Sequence, residues 1–374
     1  MSILANSLKD QIWIDTASEL SKEFAKTAAQ TDREAALPKE NLRRLFDSGL
    51  DLAILPVEKG GAGISFKTFG RIVFEIARGC PATACIWLMN TAAAETLIEL
   101  SSPETSAKYL RDFKSGKRFA NALSEPSSGN LFLNPVQEAE RLDNGDWKLE
   151  GAKRFVSGAE LADYFLINVS IDGAPAFFGV ERDDTLEIHD IWDALGMRGT
   201  RSQLIDFHGA RLKKEFRLGR GSEGRQNLIG LGLPWLSLGI AQSAYDALKD
   251  LVQRKKLGAT GKPLSHAQWI QFETAAVHAR LTAAKLLAEH LLGLADQGSV
   301  ETNVVGMEAK ILANQIAKDI AELGVRVGGG LAYTKALPFE RHLRDSHAGG
   351  LMAYSSELCH IFVGQYELNV RDTE

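Results

Sequence analysis

Apolar residues recur at intervals of three and four along the first part of the chain, up to about residue 115. The segments SELSKEFAKTAAQ (18–30) and KENLRRLFDSGL (39–50) show this spacing, and Gly49 closes the second as a residue typical of a helix end. The segment ATACIWLMNTAAAETLIEL (82–100) is apolar on nearly every side. This pattern predicts a set of helices, of which the 82–100 helix is buried all round.

The pattern changes between about residues 118 and 218. Short runs of β-branched and aromatic residues, such as DYFLINVSI (163–171) and SQLIDFHGARL (202–212), are separated by turn signals such as DG and HG. These runs predict a β domain.

Long helical patterns return from about residue 226. They predict four helices, over 231–257, 264–296, 303–328 and 338–368. The whole chain is therefore predicted to be an α+β protein, mainly α. Its expected parts are a helical domain (1–117), a β-barrel or sandwich domain (118–222) and a four-helix bundle (223–374).

Composition adds limits on function. The chain has 374 residues, 45% of them hydrophobic and 24% charged, with a net charge of −5. This balance gives no reason to expect binding to nucleic acid or to an anionic membrane, and no apolar run is long enough to cross a bilayer. The N-terminus lacks the pattern of a secretory signal, and the three cysteines suit neither a disulfide framework nor a zinc site. We expect a cytoplasmic protein that acts on a small molecule and has no metal site.

Common nucleotide and hydrolase motifs do not explain the chain. The string Gly219-Arg-Gly221-Ser-Glu-Gly224 has the glycine spacing of a dinucleotide-binding turn, but the charged segment RLKKEFRL precedes it instead of an apolar strand. There is no phosphate-binding P-loop and no GxSxG nucleophile motif. We interpret the glycine string as a connector between domains.

Two loops in the predicted β domain carry small hydroxyl residues. They are NALSEPSSGN (121–130) and GAKRFVSGAELAD (151–163), and the second places Phe155 beside Ser157. Such loops can present N–H groups, hydroxyls and an aromatic face to a flat ring. They are equally typical of ordinary turns without a ligand. Taken alone, the residues leave both interpretations open.

Six strings in one order change this balance. They include ALSEPSSGN, LEGAKRFVSGAELADYFLI, LGMRGTRSQLIDF, LGIAQSAYDAL and GGGLAYTKALPFERHLRD. Together they resemble the acyl-CoA dehydrogenase superfamily of flavoproteins over essentially the whole chain. The resemblance implies the same three-part fold, a homotetramer or dimer, and FAD as cofactor.

The resemblance also implies roles for individual residues. The first loop would contact the flavin ring and pyrophosphate, and the second would cover the ring and hydrogen-bond to it. Arg254 and Gln268 would reach the FAD of a neighbouring subunit. Arg326 stands where relatives have Gln and either meets phosphate or is solvated. The implied flavin-binding residues are Ser124, Glu125, Gly129, Asn130, Phe155, Val156, Ser157, Arg254, Gln268, Arg326, Gly329 and Gly330.

The residue that removes the substrate proton is missing from both positions that the family uses. In most relatives a Glu stands nine residues after the Arg of an Arg-Asp pair, and counting from Arg344 gives Ala353. The alternative position corresponds to Ile229. Neither side chain can accept a proton. His347 and Glu357 are the remaining candidates nearby.

Three functions follow from this departure. The first is α,β-dehydrogenation of an acyl thioester with an atypical base, passing electrons to an electron-transfer flavoprotein. The second is a monooxygenase or N-oxygenase that uses O2 and reduced flavin, either FAD or FMN, supplied by a flavin reductase. The third is a catalytically degenerate subunit that binds flavin or ligand beside an active partner.

Overall fold

The N-terminal part of the chain is helical, as the apolar spacing predicts. The structure is a computed structural model that describes residues 8–127, 129, 131–222, 224–258 and 260–370. The first five helices are α1 (Leu8–Glu34), α2 (Lys39–Asp47), α3 (Phe66–Gly79), α4 (Pro81–Leu100) and α5 (Pro103–Lys114). Most of α4 is buried, which confirms the helix predicted from its apolar sequence.

The middle of the chain forms two small sheets. The first has the order β1-β4-β5, with β1 parallel to β4, and the second has the antiparallel order β2-β3-β7-β6. Buried side chains from both sheets, among them Phe165, Phe178 and Phe207, form one core. The strands among the described residues are β1 (Phe119–Ala122), β2 (Glu140–Arg141), β3 (Trp147–Val156), β4 (Tyr164–Ile171), β5 (Ala174–Glu181), β6 (Leu186–His189) and β7 (Gln203–Leu212).

Helices follow again to the end of the described chain. They are α6 (Leu228–Arg254), α7 (Gln268–Asp296), α8 (Thr302–Gly328), α9 (Phe339–Ala348) and α10 (Ser356–Glu367). The predicted class, helical at both ends with a β middle, is confirmed. None of the helices in the described ranges is both long and apolar enough to cross a membrane.

The N-terminal and C-terminal helices share one hydrophobic core. Phe74 of α3 packs edge-on against Trp235 of α6, with ring centroids 5.9 Å apart. A Cβ atom on Gly239 would lie only 2.4 Å from the Cβ of Ala77, so the two helices can approach this closely only with glycine at that position. The N-terminal and C-terminal helices therefore form a single packed body.

The fourth predicted helix, 338–368, is wrong as a single element. The structure breaks it between α9 and α10, and Ala353 in the break has a positive φ of 54°. The buried Lys310 of α8 donates hydrogen bonds to the carbonyl oxygens of Gly349 and Tyr354, at 2.7 and 2.8 Å. Ser355 then caps α10 by accepting from the Leu358 N–H. The periodicity of the sequence does not reveal a partner that lies some forty residues away.

We expect Lys310→Met to lower the free energy of unfolding by about 2 kcal/mol, because one buried and one partly buried carbonyl oxygen lose their donor. Burial lowers the pKa of Lys310, and loss of the buried cation offsets part of the cost. Urea denaturation measures the change. Lys318→Met, on the same helix at a partly exposed position, is the matched control. Equal stability of Lys310→Met and wild type would contradict a role for Lys310 in holding the break.

Candidate flavin site

A cavity of about 300 Å³ lies where the helical parts and the β domain meet. Its walls come from α4, the ends of β1 and β3, the segment 192–202, the start of α6 and the end of α9. This volume is at the lower end of the range of small-molecule sites. The cavity brings together the two hydroxyl-bearing loops and the position of the missing base, which are far apart in the sequence.

Phe155 reaches the cavity because of an irregularity in β3. Lys153 pairs with Ile205 and Val156 with Gln203, so three steps along β3 match two steps along β7, and β3 carries one extra residue. Phe155 has a φ of 60° and its side chain is 57% exposed, whereas Val156 is fully buried in the core of the β domain. Of the three adjacent residues that the resemblance implies for flavin binding, Phe155 and Ser157 line the cavity, and the Val156 side chain does not.

The aromatic wall has polar neighbours that the sequence did not single out. The Arg154 guanidinium lies 4.8 Å from the centroid of the Phe155 ring, and Trp192 meets that ring edge-on at 6.3 Å. Arg154 also lines the cavity, and its buried Nε has no hydrogen-bond partner in the described chain. Because Arg154 immediately precedes Phe155, only the bulge in β3 explains why both of them face the same space.

The first loop contributes part of what the resemblance implies. Ser124 and Gly129 line the cavity. The Glu125 side chain instead points into the β domain, where its Oε1 lies 2.7 Å from the Lys153 Nζ and both residues are fully buried. Its carboxylate also accepts from the Val136 N–H at 2.8 Å. Glu125 therefore acts on the site by fixing the loop, and Asn130 lies outside the described residues.

Both positions implied for a catalytic carboxylate border the cavity. Ile229 from the first turn of α6 and Ala353 from the break after α9 are among its lining residues, and no carboxylate belongs to the described lining. His347, in the last turn of α9, does line it. Glu357 is exposed at the start of α10 and outside the lining; hydrogen bonds from its own backbone N–H and from Ser355 lower its pKa. Glu357 is therefore not placed to act as a base in this cavity.

The Arg-Asp pair before His347 is structural. Arg344 is bound to Asp32 of α1 at 2.6 Å and to Glu340 at 2.7 Å. Asp345 is buried and accepts from the Met197 N–H at 2.7 Å, and burial raises its pKa to about 6. These contacts fix the end of α9 against α1 and against the 194–197 wall of the cavity, and so determine where His347 stands.

The other predicted flavin contacts lie at the opposite end of the helices. Arg254 is about 37 Å from Ile229 along α6, at 1.5 Å per residue, and pairs with Asp250 on the surface. Arg326 pairs with Glu273 of α7 at 2.6 Å. Gln268, Gly329 and Gly330 are exposed in the same region, where α7 begins and α8 ends. The structure thus gathers these five residues but does not bring them to this chain's cavity.

The cavity fits a flat heteroaromatic ring that carries both donors and acceptors. It offers the face of Phe155, the hydroxyl of Ser157 and two buried polar atoms without partners in the described chain, the Arg154 Nε and the Asn121 Oδ1. Unsatisfied buried polar atoms are costly unless a ligand or water meets them. The described residues contain no cluster of three or more His, Cys, Asp or Glu suited to a metal ion.

Asn121, Thr200 and Ser202 are functional candidates that the sequence reasoning missed. Asn121 stands in the first hydroxyl-rich loop string, and Thr200 and Ser202 stand in LGMRGTRSQLIDF. The alternation of hydroxyl residues in GTRSQ was the available signal. It was not usable without knowing that this segment lies against β3 and the cavity.

Three family models match the chain one after another. They describe the N-terminal domain of acyl-CoA dehydrogenase at residues 9–117, the middle domain at 120–210 and the C-terminal domain at 231–359. The chain belongs to the acyl-CoA dehydrogenase superfamily. Members of this superfamily are flavin-dependent oxidoreductases, and FAD is the cofactor that the family uses.

Individual relatives agree with this membership. The short-chain specific acyl-CoA dehydrogenase of human mitochondria is 27% identical to the present chain. The match covers 96% of the present chain and 90% of the human protein. The butyryl-CoA dehydrogenase of Megasphaera elsdenii has the same fold, with a TM-score of 0.91, 22% identity and coverage of 98% and 99% of the two chains. FMN-bound TdsC from Paenibacillus sp. A11-2 also shares it, with a TM-score of 0.86, 21% identity and coverage of 96% and 98%.

Proposed function

We propose that this protein is a flavin-dependent dehydrogenase of acyl thioesters in which His347 takes the place of the usual carboxylate. The observation that carries this proposal is the position of His347 in the cavity lining, beside a wall where Ile229 and Ala353 are both apolar. The similarity to an acyl-CoA dehydrogenase over nearly the whole chain supports the substrate class.

In this proposal Phe155, Ser157 and the loop residues Ser124 and Gly129 would hold the ring of FAD in the cavity. A bound flavin supplies the acceptor for the two electrons that leave the substrate as hydride. An unprotonated imidazole nitrogen of His347 accepts the proton from the substrate carbon next to the thioester. Arg344 and Asp345 hold α9 in place, and with it His347 at the cavity lining.

The proposal includes more than one subunit. Arg254, Gln268, Arg326, Gly329 and Gly330 cannot serve the cavity of their own chain, and we propose that they contact the FAD of a neighbouring copy in a homotetramer or dimer. Guanidinium groups suit the phosphate oxygens of FAD because they form paired hydrogen bonds. An electron-transfer flavoprotein is the proposed electron acceptor.

One observation favours a second function. The described lining has no carboxylate at all, and a monooxygenase or N-oxygenase that uses reduced flavin, FAD or FMN, with O2 needs none for removal of a carbon-bound proton. In that case a flavin reductase is the expected partner.

The test is anaerobic mixing of the FAD-loaded protein with a series of acyl-CoA thioesters from short to long chains. Loss of the visible flavin absorbance with at least one thioester supports the dehydrogenase. If no thioester bleaches the flavin, the proposal is overturned. Substrate-dependent O2 uptake with NADH and a reductase would then support the oxygenase, and failure of the protein to retain FAD would support a degenerate subunit.

A further inference from the structure

Three hydroxyl groups form a hydrogen-bonded chain in the cavity wall. The Ser157 Oγ lies 2.9 Å from the Ser202 Oγ, which lies 2.8 Å from the Thr200 Oγ1. The Thr200 hydroxyl also donates to the carbonyl oxygen of Met197 at 2.8 Å. All three hydroxyl residues are buried, so these contacts decide which way each hydroxyl points.

The Met197 carbonyl oxygen at one end sets the donor-to-acceptor direction of all these hydrogen bonds. A carbonyl oxygen only accepts, so it takes the single proton of Thr200. Ser202 must then donate to Thr200, and Ser157 must donate to Ser202. The Ser157 oxygen is left without a proton to offer the cavity and presents lone pairs to it. The Cys85 thiol, 3.9 Å from the Ser157 Oγ, can donate to at most one of these lone pairs.

A second acceptor lines the same cavity. The Asn121 Nδ2 donates to the carbonyl oxygen of Met89 at 2.7 Å, and because that oxygen only accepts, the orientation of the amide is fixed. The Asn121 Oδ1 is buried and without a partner among the described residues. Cys85 and Met89, which contact these two groups, lie about one turn apart on α4.

The Ser157 Oγ and the Asn121 Oδ1 together make an acceptor pair. A flavin ring gains N–H groups when it takes up two electrons and protons, whereas the corresponding nitrogens of the oxidised ring only accept. A ring nitrogen that faces a fixed acceptor is therefore repelled when oxidised and hydrogen-bonded when reduced.

We infer that the acceptor pair makes this cavity bind reduced flavin more tightly than oxidised flavin, with Ser202 and Thr200 as positioning residues that hold Ser157 in its accepting state. This inference rests on the proposed flavin site but not on the identity of the substrate. It applies equally to a dehydrogenase and to an oxygenase.

The test is the flavin midpoint potential of Ser202→Ala, measured on the FAD-loaded protein with a reference dye. Without Ser202, the Ser157 hydroxyl is free to turn and donate to the oxidised ring. We expect the preference for reduced over oxidised FAD to fall about tenfold, which lowers the midpoint potential of a two-electron couple by about 30 mV. Titration of the apoprotein with oxidised FAD should show tighter binding to Ser202→Ala than to wild type.

Ser202→Thr keeps a hydroxyl and should retain the wild-type potential. If Ser202→Ala does not fold, Ser157→Ala provides the second measurement, since removal of the acceptor should also lower the potential. Where both single variants fold, the double variant should match Ser157→Ala, because Ser202 acts only through Ser157.

Two outcomes would overturn the inference. An unchanged midpoint potential in both Ser202→Ala and Ser157→Ala would show that the three hydroxyl groups do not favour one redox state of the ring over the other. An equal change in the affinities for oxidised and reduced FAD would show that Ser157 accepts from an N–H present in both states. Failure of the wild type to bind any FAD would differ from both, since it would overturn the proposed flavin site as well.

Discussion

Lys153→Met is expected to lower the free energy of unfolding by about 3–5 kcal/mol. The Lys153 Nζ lies 2.7 Å from the Glu125 Oε1 and donates to the backbone oxygen of Asn168 at 2.6 Å, and both charged residues are fully buried. Removal of the cation leaves the Glu125 carboxylate buried without its charge partner. Urea denaturation, followed by circular dichroism, measures the loss.

Lys148→Met is the matched control, because Lys148 lies on the same strand and pairs on the surface with Glu140 at 3.4 Å and Glu150 at 3.6 Å. A surface pair of this kind contributes at most about 1 kcal/mol. The double variant Glu125→Gln/Lys153→Met should recover part of the lost stability, since no buried charge remains. A similar loss in Lys148→Met and Lys153→Met would rule out the buried pair as the cause.

His347→Gln is expected to slow flavin reduction by an acyl thioester about 10²–10⁴-fold, the usual contribution of a general base. Glutamine keeps a polar side chain of similar length but cannot accept the substrate proton. Single-turnover bleaching of the FAD-loaded protein measures the rate directly.

His360→Gln serves as the control, because His360 is exposed on α10, outside the cavity lining, and bonds to the Ser356 carbonyl oxygen. It should leave the rate unchanged. If His347→Gln reduces its flavin at the wild-type rate, His347 is not the base, and another group must remove the substrate proton.

The sequence predicted the succession of helices, strands and helices because each zone has a clear hydrophobic period. It could not predict the break after Ala348, since Lys310, which stabilises the break, belongs to another helix. The resemblance also indicated that Ala353 and Ile229 occupy the base positions, and the structure places both at one cavity. The two positions were located from the order of the motifs along the chain, because the residues around Ala353 and Ile229 do not by themselves indicate a base position.

The individual site residues were harder to predict for a physical reason. Whether a side chain in β3 faces the core or the cavity depends on its pairing with β7, and the extra residue between Lys153 and Val156 reverses the expected alternation. Glu125 looked like a ligand contact because of its place in the loop, but a buried lysine holds it. Thr200 and Ser202 are interpretable only once Ser157 is seen beside them.

The extra residue in β3 also restricts how the length of this protein can vary during evolution. A one-residue deletion between Lys153 and Val156 would restore regular pairing and leave Val156 opposite Gln203, but it would remove one of the two cavity-lining residues, Arg154 or Phe155. Insertions and deletions should therefore be tolerated in the turn at Asp172–Gly173, where a Cβ on Gly173 would meet no neighbour, and be eliminated from this stretch of β3.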